Sequence, residues 1–191
     1  MSTQERKERE RASRHRLIVS AARELAETEG WDAVTTRRLA DRIEYSQPVL
    51  YSHFRKKDEI VGAVALEGFA ELTEAVRRAV PTGPASRAAA AALANAYVAF
   101  AERNPATYDA MFSLSAGLPF ADPATPAPLR EAFEALLDTL GDVAGPVEPG
   151  LFVEVFWAAL HGLVTLTRAG RLPSEHNAQR LDVLVDRLVD R

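Results

Sequence analysis

Apolar residues recur along this 191-residue chain at intervals of three and four, the spacing of one helix face, and never in the convincing alternation of a strand. From Arg14 to Glu29, the positions Leu17, Ile18, Ala21, Ala22 and Leu25 predict an amphipathic helix closed by Gly30, with Trp31 and Val34 covering a small core. Leu39, Ala40 and Ile43 predict a short helix capped by Thr35. Leu50 and Phe54, four apart, dock a second short helix, which Ser46 caps through its hydroxyl and which carries Pro48 in its first turn, where a missing N–H breaks no helical bond. Ile60, Val61, Val64, Phe69 and Leu72 define a long helix over 57–80, stopped by Pro81-Thr82-Gly83-Pro84. An Ala-rich helix follows from Ser86 to Arg103, then a short one opened by Asn104-Pro105 and carrying Tyr108, Met111 and Phe112. A Pro- and Gly-rich loop over 116–128 leads to an amphipathic helix from Leu129 to Leu140, and Gly141 to Pro149 breaks the chain again. Leu151–Thr167 and a last helix bearing Leu181, Leu184, Val185 and Leu188 complete an all-α fold.

The two short helices between 35 and 54, joined by a tight turn, predict a helix-turn-helix. Docking through Leu50 and Phe54 leaves Gln47, Pro48, Val49, Tyr51, Ser52 and His53 outward or sideways. A solvated helix has little use for Val and Tyr there, but DNA does: Gln47 pairs with adenine edges, Val49 touches a thymine methyl, and Tyr51 and His53 reach phosphates. Arg37 and Arg38 stand at the positive end of their helix dipole, a cost that a docked phosphate offsets. The charge distribution agrees. Residues 1–57 hold 13 Lys+Arg against 9 Asp+Glu, and residues 58–191 hold 10 against 18, so a basic module is joined to an acidic body.

The run T-x-R-x-L-A, then S-x-x-x-L-Y-x-H-F-x-x-K-x-E-I, preceded by AARELAETEGWDAVT, resembles the DNA-binding domain of the tetracycline-repressor (TetR) family without a gap over residues 14–60. The resemblance implies that Thr35, Thr36, Arg37, Ser46, Gln47, Pro48, Val49, Tyr51, His53 and Lys57 face DNA, with Gln47 to Val49 at the bases and most of the rest at phosphates. One position departs: Glu44 stands in the turn where the family usually has Gly, at a cost of roughly 1–2 kcal/mol if its backbone is left-handed. Three parts are expected: a mobile arm over 1–13 that could extend the first helix or send Arg9, Arg11 or Arg14 into a minor groove, a DNA-binding domain over 14–56, and an effector-binding and dimerisation domain over 57–191. The long helix starting at 57 would couple the last two.

Leu151–Thr167 has Glu154 as its only formal charge and needs cover nearly all round. Trp157, Leu160, His161 and Val164 share one side. Ala158, Ala159, Gly162 and Leu166 share the other, small enough for another helix to approach closely; with Leu181, Leu184, Val185 and Leu188 of the last helix they predict an intermolecular four-helix bundle. The patterns Ala101-x-x-Asn104-Pro105-x-x-Tyr108-x-x-Met111-Phe112 and Trp157-x-x-x-His161-Gly162 are similar to the C-terminal domain of a TetR subgroup. They imply about nine helices, a homodimer through the last two long helices and an effector pocket in the body. Candidate lining residues are Tyr97, Tyr108, Met111, Phe112, Phe133, Trp157 and His161, an aromatic wall suited to a mostly apolar small molecule, although core packing accounts for each singly.

With no cysteine, the chain has no disulfide, thiolate nucleophile or Cys-based zinc site. Its four histidines lack metal-ligand spacing, and no cofactor is expected. Glu154 and His161 lie about 10 Å apart along a helix, too far for an acid–base pair, so an enzyme is not expected. No apolar run is expected to span a membrane, and the charged N-terminus reads as cytosolic. A regulator, most simply a repressor, released from a pseudo-palindromic operator by an apolar effector fits these features. The alternative is a helical small-molecule-binding or scaffold protein of the same fold without inducer-controlled DNA binding, to which Glu44 is the one pointer.

Overall fold

A computed structural model describes residues 2–114 and 117–189. Nine α-helices and no strand are present among them: α1 Thr3–Glu29, α2 Thr36–Arg42, α3 Gln47–His53, α4 Lys57–Ala79, α5 Arg87–Arg103, α6 Pro105–Asp109, α7 Ala127–Leu140, α8 Pro149–Arg168 and α9 Asn177–Leu188. The chain packs as two compact units. The first takes in residues 1–68 and 104–125, extending past the boundary expected at 57; the second comprises 69–103 and 126–191, so α4 supplies residues to both.

In the first unit, the arm expected over 1–13 is the opening of α1. Its helix starts at a capping box, in which the Ser2 hydroxyl accepts from Glu5 N–H and the Glu5 carboxylate accepts from Ser2 N–H. The buried stripe of α1 is Ile18, Val19, Ala21, Ala22, Leu25 and Ala26; Leu17, expected on it, lies a hundred degrees round the helix from Ile18 and is exposed. Val34, Leu39, Leu50 and Phe54 close this core.

A short helix, α6, completes the first unit, held by α1 through contacts that substitute for its own cap. Asn104 precedes Pro105 but makes no side-chain cap; its carboxamide oxygen instead accepts from Arg23 at 3.0 Å. The exposed amides are taken by Glu27, whose carboxylate accepts from Ala106 N and Thr107 N at 2.9 Å each and from the Thr107 hydroxyl at 2.7 Å. The Trp31 indole N–H donates to the Ala106 carbonyl at 2.8 Å. A π-turn over Ala110–Leu114 follows, bringing Met111, with Thr107, against Gly68 of α4. The expected loop began at Ala116, which with Ser115 lies outside the described residues.

The second unit is built on α5, α7, α8 and α9, with Phe152, Val153, Phe156, Leu160 and Val164 of α8 buried among them. α8 is long and apolar enough to cross a membrane by length and composition, which corrects the expectation that no run was; one of its faces packs against α5, α7 and α9, and the other is exposed. Arg87 of α5 reaches Asp186 of α9, with Nε donating at 2.7 Å.

A candidate nucleic-acid interface

The helix-turn-helix is set by its caps and by one left-handed residue. Thr35, in extended backbone, accepts from Arg38 N–H at 3.3 Å and starts α2. α2 ends with Ile43 N–H donating to Leu39 O and Tyr45 N–H donating to Ala40 O, both at 3.0 Å, and between them Glu44 adopts φ +57°. The bond from Tyr45 back to Ala40 across a left-handed residue is the six-to-one closure of a Schellman-type helix end, which calls for glycine at the left-handed position. Glu44 therefore bears the strain that a side chain brings there.

Ser46 starts α3 without using its hydroxyl, contrary to the sequence expectation. Pro48 has no amide to be capped, and the Val49 amide donates to the Ser46 carbonyl at 3.0 Å. The hydroxyl is left outward on an exposed residue. Leu50 and Phe54 are buried as anchors, which turns Gln47, Pro48 and Tyr51 fully outward and leaves Val49 and His53 half-buried. Thr35 and Arg37 are exposed, Thr36 half-buried.

Not every nearby cation is available. Arg38, expected at a phosphate, forks onto Glu29 at 2.7 and 2.9 Å and holds that carboxyl below its ordinary range; Arg42 reaches Glu24 at 3.0 Å. Arg37 makes no ion pair among the described residues. Lys57 is exposed, and its ammonium donates to the Trp31 carbonyl, tying the start of α4 to the segment after α1. The His15 ring stacks on Phe54 with centroids 4.6 Å apart and stands 6.3 Å from His53. Burial, followed by the charges of Arg11, His15 and Arg14, pushes His53 below its ordinary pKa.

A family model for bacterial regulatory proteins of the tetR family matches residues 18–64, and one for the tetracyclin repressor-like C-terminal domain matches residues 90–191. The chain belongs to the tetracycline-repressor family. It is a DNA-binding transcriptional regulator. An uncharacterized helix-turn-helix-type regulator of Mycobacterium tuberculosis is 29% identical over 154 residues, 80% of this chain and 69% of that protein. The transcriptional activator FasR of Mycolicibacterium smegmatis is 30% identical over 133 residues, 70% of this chain but 59% of its own length. A solved protein of unknown function from Rhodococcus sp. RHA1 superposes with a TM-score of 0.77 at 26% identity, covering 92% of this chain and 93% of that one.

The seven ligand candidates divide between the units. Tyr108, Met111 and Phe112 belong to the first, where Tyr108 and Met111 are buried and the Tyr108 and Phe112 rings lie 4.7 Å apart. Tyr97, Phe133, Trp157 and His161 belong to the second. There the Trp157 indole N–H donates to the fully buried Tyr97 hydroxyl at 3.1 Å, and burial pushes His161 below its ordinary pKa. A shallow apolar groove in this unit, lined by Val98, Leu163, Val164 and Leu181 among others, contains none of the seven.

The expected dimer face needs correction. Leu181 and Val185 are buried inside the protomer, because the stripe of α9 is used against α5 and α8. Leu184 and Leu188 are half-covered beside them. On α8 the exposed stripe is Leu151, Val155, Ala158 and Leu166, with Gly162 half-exposed between them. Leu151 and Val155 were not picked out from sequence, although they continue the i, i+4, i+7 series of Ala158.

Sequence reasoning also missed Arg23 and Glu27. The available signal was α6 itself, a helix opening on Asn-Pro with no acid in its first turn, whose amides call for a carboxylate from elsewhere.

Proposed function

We propose that this regulator is a homodimer that represses by binding a pseudo-palindromic operator, with Gln47, Pro48 and Val49 at base edges and Thr35, Thr36, Arg37, Ser46, Tyr51, His53 and Lys57 at phosphates. The observation that carries the reading is α3: seven residues anchored by Leu50 and Phe54, presenting Gln47 and Tyr51 outward with no structural task in the protomer. The exposed stripe of Leu151, Val155, Ala158 and Leu166 on α8 supports the pairing of two copies, an interface that Ala159, Gly162, Leu184 and Leu188, half-covered in the protomer, would join. A cytoplasmic location accords with operator binding.

An apolar effector would bind in the second unit against Phe133, Trp157 and His161, where Tyr97 is fixed by Trp157; Tyr108, Met111 and Phe112 then serve the first unit. The effector shifts DNA binding only as far as it prefers one conformer. The test is fluorescence anisotropy of Gln47→Ala on a duplex selected by the protein from a random pool and on a scrambled duplex. A loss of about 1–3 kcal/mol on the selected duplex, with relaxed preference at one position, supports the assignment. Equal loss on both duplexes removes Gln47 from base readout.

A further inference from the structure

α1 continues outward past its buried segment for about four turns, and the face it carries there is unusual for a solvated helix. At a hundred degrees per residue, Lys7, Arg11 and Arg14 fall within about 40° of the direction of Ile18, the same direction as buried Ala22 and Leu25. The core-facing stripe of α1 thus continues as a cationic stripe. Its acids stand elsewhere: Glu5 and Glu8 are on other faces, with Glu10 at the edge.

Lys7 and Arg11 are exposed and make no ion pair or hydrogen bond among the described residues. Arg14 has only Glu10, at 3.6 Å and half-exposed, a pair weak enough to exchange for a phosphate. The stack of His15 on Phe54 sets the inner end of this stripe beside the C-terminal end of α3. Arg11 and Arg14 are close enough to act electrostatically on His53. The capping box at Ser2 and Glu5 keeps the outer turns helical without tertiary cover.

Resting on the assignment of α3 as the base reader, we infer that Lys7, Arg11 and Arg14 form a rigid helical arm that binds the sugar-phosphate backbone of duplex DNA flanking each half-site. The occupant follows from charge complementarity and from continuity with the α3 surface through His15, His53 and Phe54. From Lys7 to Arg14 the row spans about 10 Å, on the order of three phosphates of one strand at 3.4 Å of rise each. Such contacts add affinity and salt dependence and carry no base preference.

The experiment compares two double variants of the full-length protein, Lys7→Gln/Arg11→Gln and Arg6→Gln/Arg16→Gln, on the selected and scrambled duplexes across a salt series. Arg6 and Arg16 point about 120° and 160° away from the direction of Ile18, off the stripe, and Arg6 has only an exposed pair with Glu10, so both variants lose the same charge from the same solvated helix but from different faces. Lys7→Gln/Arg11→Gln removes four cations per dimer and should lower the log–log salt slope by about 3–4, so that wild type loses roughly 100-fold more affinity than the variant between 50 and 200 mM salt. The ratio of selected to scrambled binding should stay as in wild type. Arg6→Gln/Arg16→Gln should keep the wild-type slope. An unchanged slope for the first pair, or an equal fall for both, overturns the arm while wild-type preference for the selected duplex leaves the α3 reading standing. Wild-type protein that binds neither duplex overturns both.

Discussion

Gly68 of α4 faces a neighbour too close for any side chain. A Cβ built there would stand 2.7 Å from both Met111 Sδ and Thr107 Cγ2, and 3.1 Å from Met111 Cγ. Met111 is fully buried and flexible, so its thioether can move only at the expense of other packing. Thr107 cannot turn away cheaply, because its hydroxyl donates to Glu27 at 2.7 Å and its amide donates to the same carboxylate. Replacing Gly by Ala inside a helix gains about 0.8–1.0 kcal/mol of propensity, and overpacking of this kind costs typically 1–3 kcal/mol. Adding partial loss of the Thr107–Glu27 bond, of order 1 kcal/mol, makes Gly68→Ala destabilising by about 1–3 kcal/mol. The same helix contains its own control: Gly62 has nothing within 4 Å of its would-be Cβ, so Gly62→Ala should stabilise by up to about 1 kcal/mol. Urea unfolding followed by circular dichroism measures both. Gly68→Ala as stable as Gly62→Ala would refute the close approach of α4 to the Thr107–Met111 segment.

Glu44→Gly should relieve about 1–2 kcal/mol of left-handed strain less the entropy of glycine, a net gain near 1 kcal/mol and a rise of roughly 2–4 °C in melting temperature; an unchanged or lower midpoint would contradict the Schellman geometry. Leu181→Ala should cost about 2–5 kcal/mol of protomer stability, whereas Gly162→Leu, with open space at its Cβ, should leave the protomer intact and halve the mass in sedimentation. If Leu181→Ala only separates subunits, α9 offers that residue to a partner after all. The depressed pKa of His53 means the neutral form is favoured in the fold, so its share of stability is held above pH 6.5 and lost as pH falls through the depressed value. A DNA phosphate pairs with the protonated ring, so binding takes up a proton and should tighten as pH falls, by at most about tenfold per pH unit per protomer. His53→Gln should flatten that dependence in anisotropy titrations.

The legible parts of the fold were those fixed by neighbours in sequence. Thr35 as a cap, Leu39, Leu50 and Phe54 as anchors, and Lys57 to Ala79 as one helix all follow from spacing of three to four residues and from local breakers. Contacts made across long stretches of chain were not legible. Glu27 caps a helix 79 and 80 residues away, which no periodicity signals. A helical stripe shows that residues such as Leu181 and Val185 are covered but not by what, so in sequence their cover within the protomer looks the same as a dimer face. Ser46 failed as a side-chain cap because Pro48 removes one amide and the Ser46 carbonyl takes the next, a competition that sequence alone leaves open.

Sequence reading by α3 is tested most directly by anisotropy of wild-type protein on the DNA upstream of its own gene against random duplex, across a salt series. Saturable binding that weakens with salt and favours the upstream duplex by about 10³-fold or more is the predicted result. Equal and weak binding to both duplexes, persisting in Glu44→Gly and on duplexes selected from a random pool, would contradict it.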